Sequence, residues 1–524
     1  MIKVITKPVK KIYHPLLISL LPILAFYSHN KNELTSGSII FPMIIILVFS
    51  GLYYLVLRKL VKDELKAKIL TSTNFILFYS FGHLMIYLRE SELLQDSISS
   101  SSYLIWIWIF LLFLTGLIII RSKKSFSLLN EFFNIFSAAL LLILIADIGY
   151  FEINRKPWGK FLEKENIKSG NNGNYCRDHN CPDVYYIIVE RYGNQEILKE
   201  RFAFDNGEFI SYLENRGFVV PEKSRSNYLT TPPSLASSLN MDYLDDLAEV
   251  MGENNIDRGP LFEMYRDNKI WRFFKSKGYK YIFVGSYWEQ GEKSPYADIN
   301  YRFDELGLSQ FSRSFLETTM LYPVVNNIAK NPYLNLRNIE HNLSIDQIDK
   351  LIEFSKIKEP KYIFAHLFIT HGPYVFDQNG KLISEDEEKK SGYLKNYINS
   401  IIFANKKLKN MIMEIQKNSG NRAIILLQAD EGPYPEKFFE DHFSFDWRKA
   451  TNLQMKVKTG ILNAYFLPSA GKSPVYPAIT PVNTFRLIMN LYFGEQFQLL
   501  PDRTFAHEDY QHPYKFFEIT DKIK

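Results

Sequence analysis

The sequence predicts a chain of two unlike parts: an α-helical membrane region of about five transmembrane helices, followed by an α/β domain. Three observations predict it. Long apolar runs fill residues 1–151 and then stop. Short apolar runs alternate with helix-length amphipathic segments over the rest of the chain. The charge is divided unevenly as well. The 524 residues carry a net +5, but residues 1–151 hold 14 Lys/Arg against 8 Asp/Glu, a net +6, and the remainder holds 48 against 49, a net −1. Excess positive charge confined to the apolar part fits basic loops beside a bilayer and argues against a nucleic-acid partner. With 46% apolar and 23% charged residues, a mostly disordered chain is excluded.

The apolar runs lie at 13–28, 38–57, 69–88, 103–120 and 132–151. The last four are long enough to cross a hydrocarbon core as helices, which takes about 20 residues. The first is shorter and carries Pro15 and Pro22. It reads as a tilted span, an interfacial segment or an uncleaved signal-like anchor, since no clear small-residue cleavage site follows it. Basic residues number 4, 1, 5, 1 and 3 in the successive loops, beginning with Lys3, Lys7, Lys10 and Lys11. That alternation puts the N-terminus inside and the C-terminal domain outside the cytoplasm, in a periplasm or at a cell surface. Tyr103, Trp106 and Trp108 stand at the outer end of the fourth span, where aromatic rings favour the interface. The only acid well inside a span is Asp147, near its outer end, so the helices read as an anchor and not as a transporter.

Residues 152–182 are polar, with Gly170, Gly173 and several Asn, and read as a linker. They contain the only two cysteines, Cys176 and Cys181, too few for a zinc ribbon and compatible with a local disulfide outside the cytoplasm. Residues 183–524 form the outer domain. Val184–Val189, Tyr281–Val284, Tyr362–Leu367, Ala423–Leu427 and Leu462–Leu467 read as buried strands. Phe209–Asn215, Ile345–Phe354 and Leu394–Gln416 have helical spacing, and Ser344 with Gln347 matches a capping box at the start of the second. This alternation predicts a largely parallel sheet with helices on both faces, in which chemistry gathers at the C-terminal strand ends.

The residues at those ends are informative. Glu190 follows the first strand, His366 and His371 lie in and after the third, and Asp430 and Glu431 follow the fourth. Thr230 and Thr231 stand before two prolines at an apparent helix start. Taken singly, these residues read as loop, turn, cap or structural positions. Together, three carboxylates at one sheet edge call for a cation, and an all-oxygen set suits Mg²⁺ or Mn²⁺. A hydroxyl at a helix N-terminus gains positive potential and backbone donors, which suit a nucleophile facing a phosphate.

The ordered set resembles the alkaline-phosphatase/sulfatase superfamily: Glu190, a Thr some forty residues on, His371-Gly372-Pro373, and Asp430-Glu431-Gly432. The N-terminal spans narrow the resemblance to the branch of lipoteichoic acid synthases and phosphoethanolamine transferases. It implies a sulfatase-like α/β fold and a metal held by Glu190, Thr231, Asp430 and the position of Glu431. It also implies Thr231 as nucleophile, with Thr230 as the alternative, and His371 and His366 near the substrate. The sequence departs from the family twice. Glu431 stands where His is common, which favours Mn²⁺ or Mg²⁺ over Zn²⁺, and Arg191 stands where Gly is common. Neither cysteine has the Cys-x-Pro-x-Arg context of an arylsulfatase nucleophile. The expected activity is that of a membrane-anchored, metal-dependent phosphotransferase or hydrolase acting on a phosphodiester of a lipid headgroup or an envelope glycan. The alternative is a catalytically degenerate envelope protein that keeps the fold to bind a glycan or a protein.

Overall fold

A computed structural model of the protein describes residues 14–90, 101–155, 181–301, 309–324, 335–436, 444–468 and 474–524. Most of the linker, loop 91–100, the four N-terminal lysines and Cys176 lie outside the described residues. Cys181 is disulfide-bonded, and Cys176 is the only other cysteine in the chain. The chain divides into two compact units, Met1–Arg155 with Gly307–Asn335, and Lys156–Leu306 with Leu336–Lys524.

The first unit contains α1 (His14–Asn30), α2 (Gly37–Val61), α3 (Glu64–Glu90), α4 (Ser101–Arg121) and α5 (Ser127–Asn154). Four helices, α2 to α5, are long and apolar enough to cross a membrane. Among the described residues, four of the about five expected spans meet this criterion of length and apolarity. The 17 residues of α1 reach about 26 Å, short of a hydrocarbon core of about 30 Å. Its surroundings differ as well. Ile23 and Tyr27 of α1 are fully buried, whereas Ile40 and Leu52 of α2 are 59% exposed. α1 is packed among α2, α3 and α5, while α2 turns apolar side chains outward as a lipid-facing helix does. Polar side chains pin both ends of α1. His14 Nδ1 lies 2.6 Å from Ser72 Oγ, Tyr27 donates to Glu152 Oε1 at 2.9 Å, and Lys31 pairs with Asp147.

The helix Gln310–Glu317 belongs to this unit too. Phe311 and Phe315 pack on the Phe26 ring, with centroids 5.3 and 5.9 Å away, and Phe315 also meets Tyr79 at 5.9 Å. Met320 N donates to Phe78 O at 3.0 Å. Gly82 of α3 makes this approach possible, because a Cβ there would fall 2.2 Å from the carbonyl carbon of Thr318. Sequence reading places this stretch within a continuous 183–524 domain. Its aromatic face instead finds cover on the membrane helices.

The second unit is built on a seven-stranded sheet in the order β2-β7-β6-β1-β5-β3-β4. The strands are β1 (Val184–Val189), β2 (Phe218–Val219), β3 (Lys280–Val284), β4 (Ile299–Tyr301), β5 (Lys361–Leu367), β6 (Ile424–Gln428) and β7 (Asn463–Phe466). β1 is parallel to β5 and β6, β3 is parallel to β4 and β5, and β7 runs antiparallel to β6 and β2. A separate antiparallel pair joins β8 (Phe505–His507) and β9 (Phe516–Glu518). Every β1 side chain is buried because helices cover both faces. Tyr185, Ile187 and Val189 join one core, with Phe209, Leu351 and Ile401. Val184, Tyr186 and Ile188 join the other, with Leu235, Phe274 and Phe485.

One helix boundary differs from expectation. The helix expected to start near Ile345 runs from Leu336 to Phe354, so Ser344 lies in its interior and caps nothing. Gln347 points into the fold, and its amide donates to Gly285 O at 2.7 Å and His366 O at 2.9 Å. A side chain that satisfies two strand-end carbonyls mimics a capping residue in sequence spacing alone.

Candidate functional site

The parallel register aligns the strand ends. Ile188 of β1 pairs with His366 of β5 on one side and with Gln428 of β6 on the other. In-register neighbours point to the same face, so His366 shares the face of Ile188, which the helix Thr231–Asn240 covers through Leu235 and Leu239. Glu190 follows β1 directly, and its N–H donates to Leu367 O at 2.9 Å. Asp430 lies two residues beyond β6, where its carbonyl accepts from Ser234 Oγ at 2.6 Å. Thr370 donates its hydroxyl to Glu190 O. The backbone at each strand end is therefore held by a hydrogen bond from a neighbouring segment.

The N-cap of the helix is Thr230, and Thr231 is its first residue, ahead of Pro232 and Pro233. Thr230 is therefore the cap, and Thr231 lies inside the first turn. Of the two threonines, Thr231 has its Oγ1 on Glu190, donating to Oε1 at 3.0 Å.

Glu190, His366 and Asp430 each bring a potential ligand atom within 4.8 Å of the others, and all three are buried. His366 Nε2 lies 2.5 Å from Glu190 Oε2. Among the described residues, Asp430 Oδ2 and His366 Nδ1 are buried with no hydrogen-bond partner. Burial and then the neighbouring Glu190 charge push the Asp430 carboxyl up to about 7. Burial also acts upward on Glu190, but the hydrogen bond and charge of His366 bring it below its ordinary value. A carboxyl strained in this way, with an orphaned oxygen beside a histidine and a second carboxylate, fits a bound divalent cation.

Glu431 stands apart from this group. Its Oε1 lies 2.7 Å from Arg191 Nε and 2.7 Å from Lys458 Nζ. The adjacent residues Asp430 and Glu431 thus divide between a ligand cluster and a cation cluster. His366, expected beside the substrate, is instead among the candidate ligands. The expected preference for Mn²⁺ or Mg²⁺ loses its premise, because it rested on an all-oxygen set and an imidazole nitrogen also suits zinc.

Arg191 and Lys458 are the residues that sequence reading did not place in the site. Arg191 has a left-handed backbone, φ 56°, and its N–H reaches Asp430 Oδ1 at 3.3 Å. Its guanidinium lies 4.3 Å from the Tyr434 ring centroid, and Lys458 Nζ lies 3.9 Å from the same ring. Lys458 is fully buried. That burial lowers its pKa to about 8, against the opposing pull of Glu431. Position after Glu190 was the only available signal for Arg191. Lys458 comes into the site through Gly432, whose N–H donates to Lys458 O at 2.8 Å. Desolvation, then the charge of Arg191, holds His371 well below its ordinary pKa, and its Nδ1 has no hydrogen-bond partner among the described residues.

The second unit is therefore an α/β domain with a candidate cation site at the C-terminal edge of its sheet. No family model matches the chain, and no curated protein matches it. Among solved structures it is similar to the C-terminal periplasmic domain of EcEptC from Escherichia coli, at 12% identity and TM-score 0.42, covering 67% of this chain and 94% of that one. It is also similar to the lipooligosaccharide phosphoethanolamine transferase EptA of Neisseria meningitidis, at 13% and 0.36, covering 91% and 95%. A third is the lipoteichoic acid synthase LtaP of Listeria monocytogenes, at 14% and 0.39, covering 64% and 80%.

Proposed function

We propose that the protein is a membrane-anchored, metal-dependent phosphotransferase or hydrolase, with Thr231 as nucleophile, acting outside the cytoplasm on a phosphodiester of a lipid headgroup or an envelope glycan. One observation carries this reading: a hydroxyl at a helix N-terminus, 3.0 Å from a carboxylate that shares a buried cluster with a histidine and a second carboxylate.

Glu190, His366 and Asp430, with Thr231, would hold the ion. A divalent cation there supplies a lowered hydroxyl pKa and neutralises phosphoryl oxygens. Thr231 Oγ1 attacks phosphorus, the Oγ1–P bond forms, and the bond from phosphorus to the leaving oxygen breaks. The threonine proton passes to Glu190, whose Oε1 already accepts it. His371, kept neutral, offers a hydrogen bond to the departing oxygen, which takes its proton from solvent. Water or a glycan hydroxyl then attacks phosphorus and gives its own proton to solvent. The P–Oγ1 bond breaks, and Glu190 returns the first proton to Thr231. A site tethered beside a bilayer suits a lipid substrate.

The test is to incubate the full chain in detergent with Mn²⁺, Mg²⁺ or Zn²⁺ and a phospholipid labelled in its headgroup phosphate. Mass spectrometry should find Thr231 esterified to the labelled phosphate, which still carries its second alcohol, and this adduct should be absent in Thr231→Ala. Full turnover in Thr231→Ala with loss in Thr230→Ala would move the nucleophile by one residue. An active protein indifferent to both would place the site elsewhere.

A further inference from the structure

We propose that Arg191 and Lys458 form the anion-binding half of this site, and that Glu431 is their counter-ion, setting a preference for singly charged phosphodiesters over doubly charged phosphomonoesters. The proposal rests on the phosphoryl-transfer reading above and deepens it to a substrate charge class.

The geometry separates two half-sites. Glu190, His366 and Asp430 are grouped as ligands, and Glu431 is grouped with the two cations. Arg191 links the halves, with its Nε 2.7 Å from Glu431 Oε1 and 3.8 Å from Glu190 Oε1. Both cations lie against the Tyr434 ring, a shelf that fixes their direction. A triad serving the fold alone would be expected to satisfy its polar atoms internally. This one does not. Among the described residues Arg191 uses Nε on Glu431 and Nη2 on Tyr434 OH at 3.4 Å, while Nη1 has no hydrogen-bond partner. Glu431 Oε2 is buried and also has none. The Arg191 side chain keeps 14% exposure where Lys458 and Glu431 keep 0% and 1%, so Arg191 is the member of the triad with access to the outside of the cluster. A guanidinium with free donors next to a metal-type cluster is suited to phosphoryl oxygens.

The charges then decide the substrate class. Two carboxylates, Glu190 and Asp430, balance one divalent cation. Arg191, Lys458 and Glu431 sum to a single positive charge. A phosphodiester brings one negative charge to meet it. A phosphomonoester brings a second that nothing in the buried cluster matches, and unmatched buried charge is costly. A neutral side chain at 431 would leave two positive charges and reverse that balance.

The experiment uses the full chain in detergent and two inert probes, phenylphosphonate with two charges and its monomethyl ester with one, titrated at about pH 7.5, where Lys458 keeps most of its charge, with the activating metal present. Metal stoichiometry and melting temperature are measured beside each titration. Arg191→Gln should weaken both probes by about tenfold or more, the scale of a lost charged hydrogen bond, with Arg191→Lys recovering part of it. Glu431→Gln should shift the ratio of affinities toward the doubly charged probe by about tenfold, with metal stoichiometry unchanged. Lys458→Met removes a fully buried charge and risks the fold, so the near-isosteric Glu431→Gln and the Arg191→Lys rescue decide the matter. Loss of metal in Glu431→Gln would make Glu431 a ligand and overturn the proposal. An unchanged probe ratio, or wild-type binding in Arg191→Gln, would overturn it too. Expected probe behaviour without any phosphoryl adduct on Thr231 would instead overturn the phosphoryl-transfer reading and leave the anion site standing.

Discussion

Glu340 is 1% exposed on the helix Leu336–Phe354, and neither of its carboxyl oxygens has a hydrogen-bond partner among the described residues. Burial, then the Glu388 charge, raises its pKa well above the ordinary value of 4.5, against the opposing pull of Arg337 and Arg191. The folded protein therefore holds this proton while the unfolded chain releases it. Stability from Glu340 is fully present below about pH 4.5 and is lost as pH rises toward the folded value, by about 1.4 kcal/mol per pH unit in that window. Glu340→Gln, which has no proton to lose, should raise the melting temperature more at pH 8 than at pH 5. An equal rise at both would show that the carboxyl is ionised in the fold. The ligand cluster gives a second prediction at this scale. His366→Gln should lower metal affinity by at least about tenfold, whereas Thr231→Ala should leave the carboxylates and most of the metal in place. Equilibrium dialysis with each ion reads both.

At the scale of elements, two glycines control how segments meet. A Cβ on Gly432 would fall 2.3 Å from Val457 O and 2.9 Å from the carbonyl carbon of Lys458. Gly432→Ala must therefore push the β6 loop away from the helix Asn452–Thr459, separating Glu431 from Lys458. A stability loss of about 1–3 kcal/mol is expected, the size of a steric insertion into packed structure, together with a change in anion affinity. Gly51, where an added Cβ would meet nothing within 4 Å, is the natural control. Gly82→Leu should dislodge the helix Gln310–Glu317 from α3, and Arg313, 7% exposed in the intact protein, should become a site of rapid tryptic cleavage. Resistance equal to wild type would mean that α3 is not what shields it. The β-strands themselves were legible because β1, β5 and β6 are apolar on both faces, which a doubly covered parallel sheet requires. Helix starts were less so, since Gln347 spends its amide on distant carbonyls and local spacing cannot distinguish that from a cap.

For the whole molecule, the loop charges predict the arrangement across the membrane. A reporter fused after Lys124 should be active only inside the cytoplasm, and one fused after Lys156 only outside. The opposite pattern at either point would overturn the orientation. The stretch Gly307–Asn335 groups with the membrane helices although more than 150 residues separate it from α5. Nothing in its composition marks it as different from the surrounding domain. Its aromatic face acquires meaning only against Phe26 and Tyr79.

By itself the sequence determined the apolar helices, the covered parallel sheet, and the placing of Glu190, Asp430 and a threonine at strand and helix ends. Those features depend on periodicity and local order, which a linear chain displays directly. The tertiary structure decided which neighbours those residues acquire. Asp430 and Glu431 are adjacent in sequence and both acidic, yet one joins His366 and the other joins Arg191 and Lys458. That division arises because successive side chains leave a backbone in different directions. What each meets is then set by β5 register on one side and the Gly432–Lys458 contact on the other, both of them long-range contacts that local spacing does not encode.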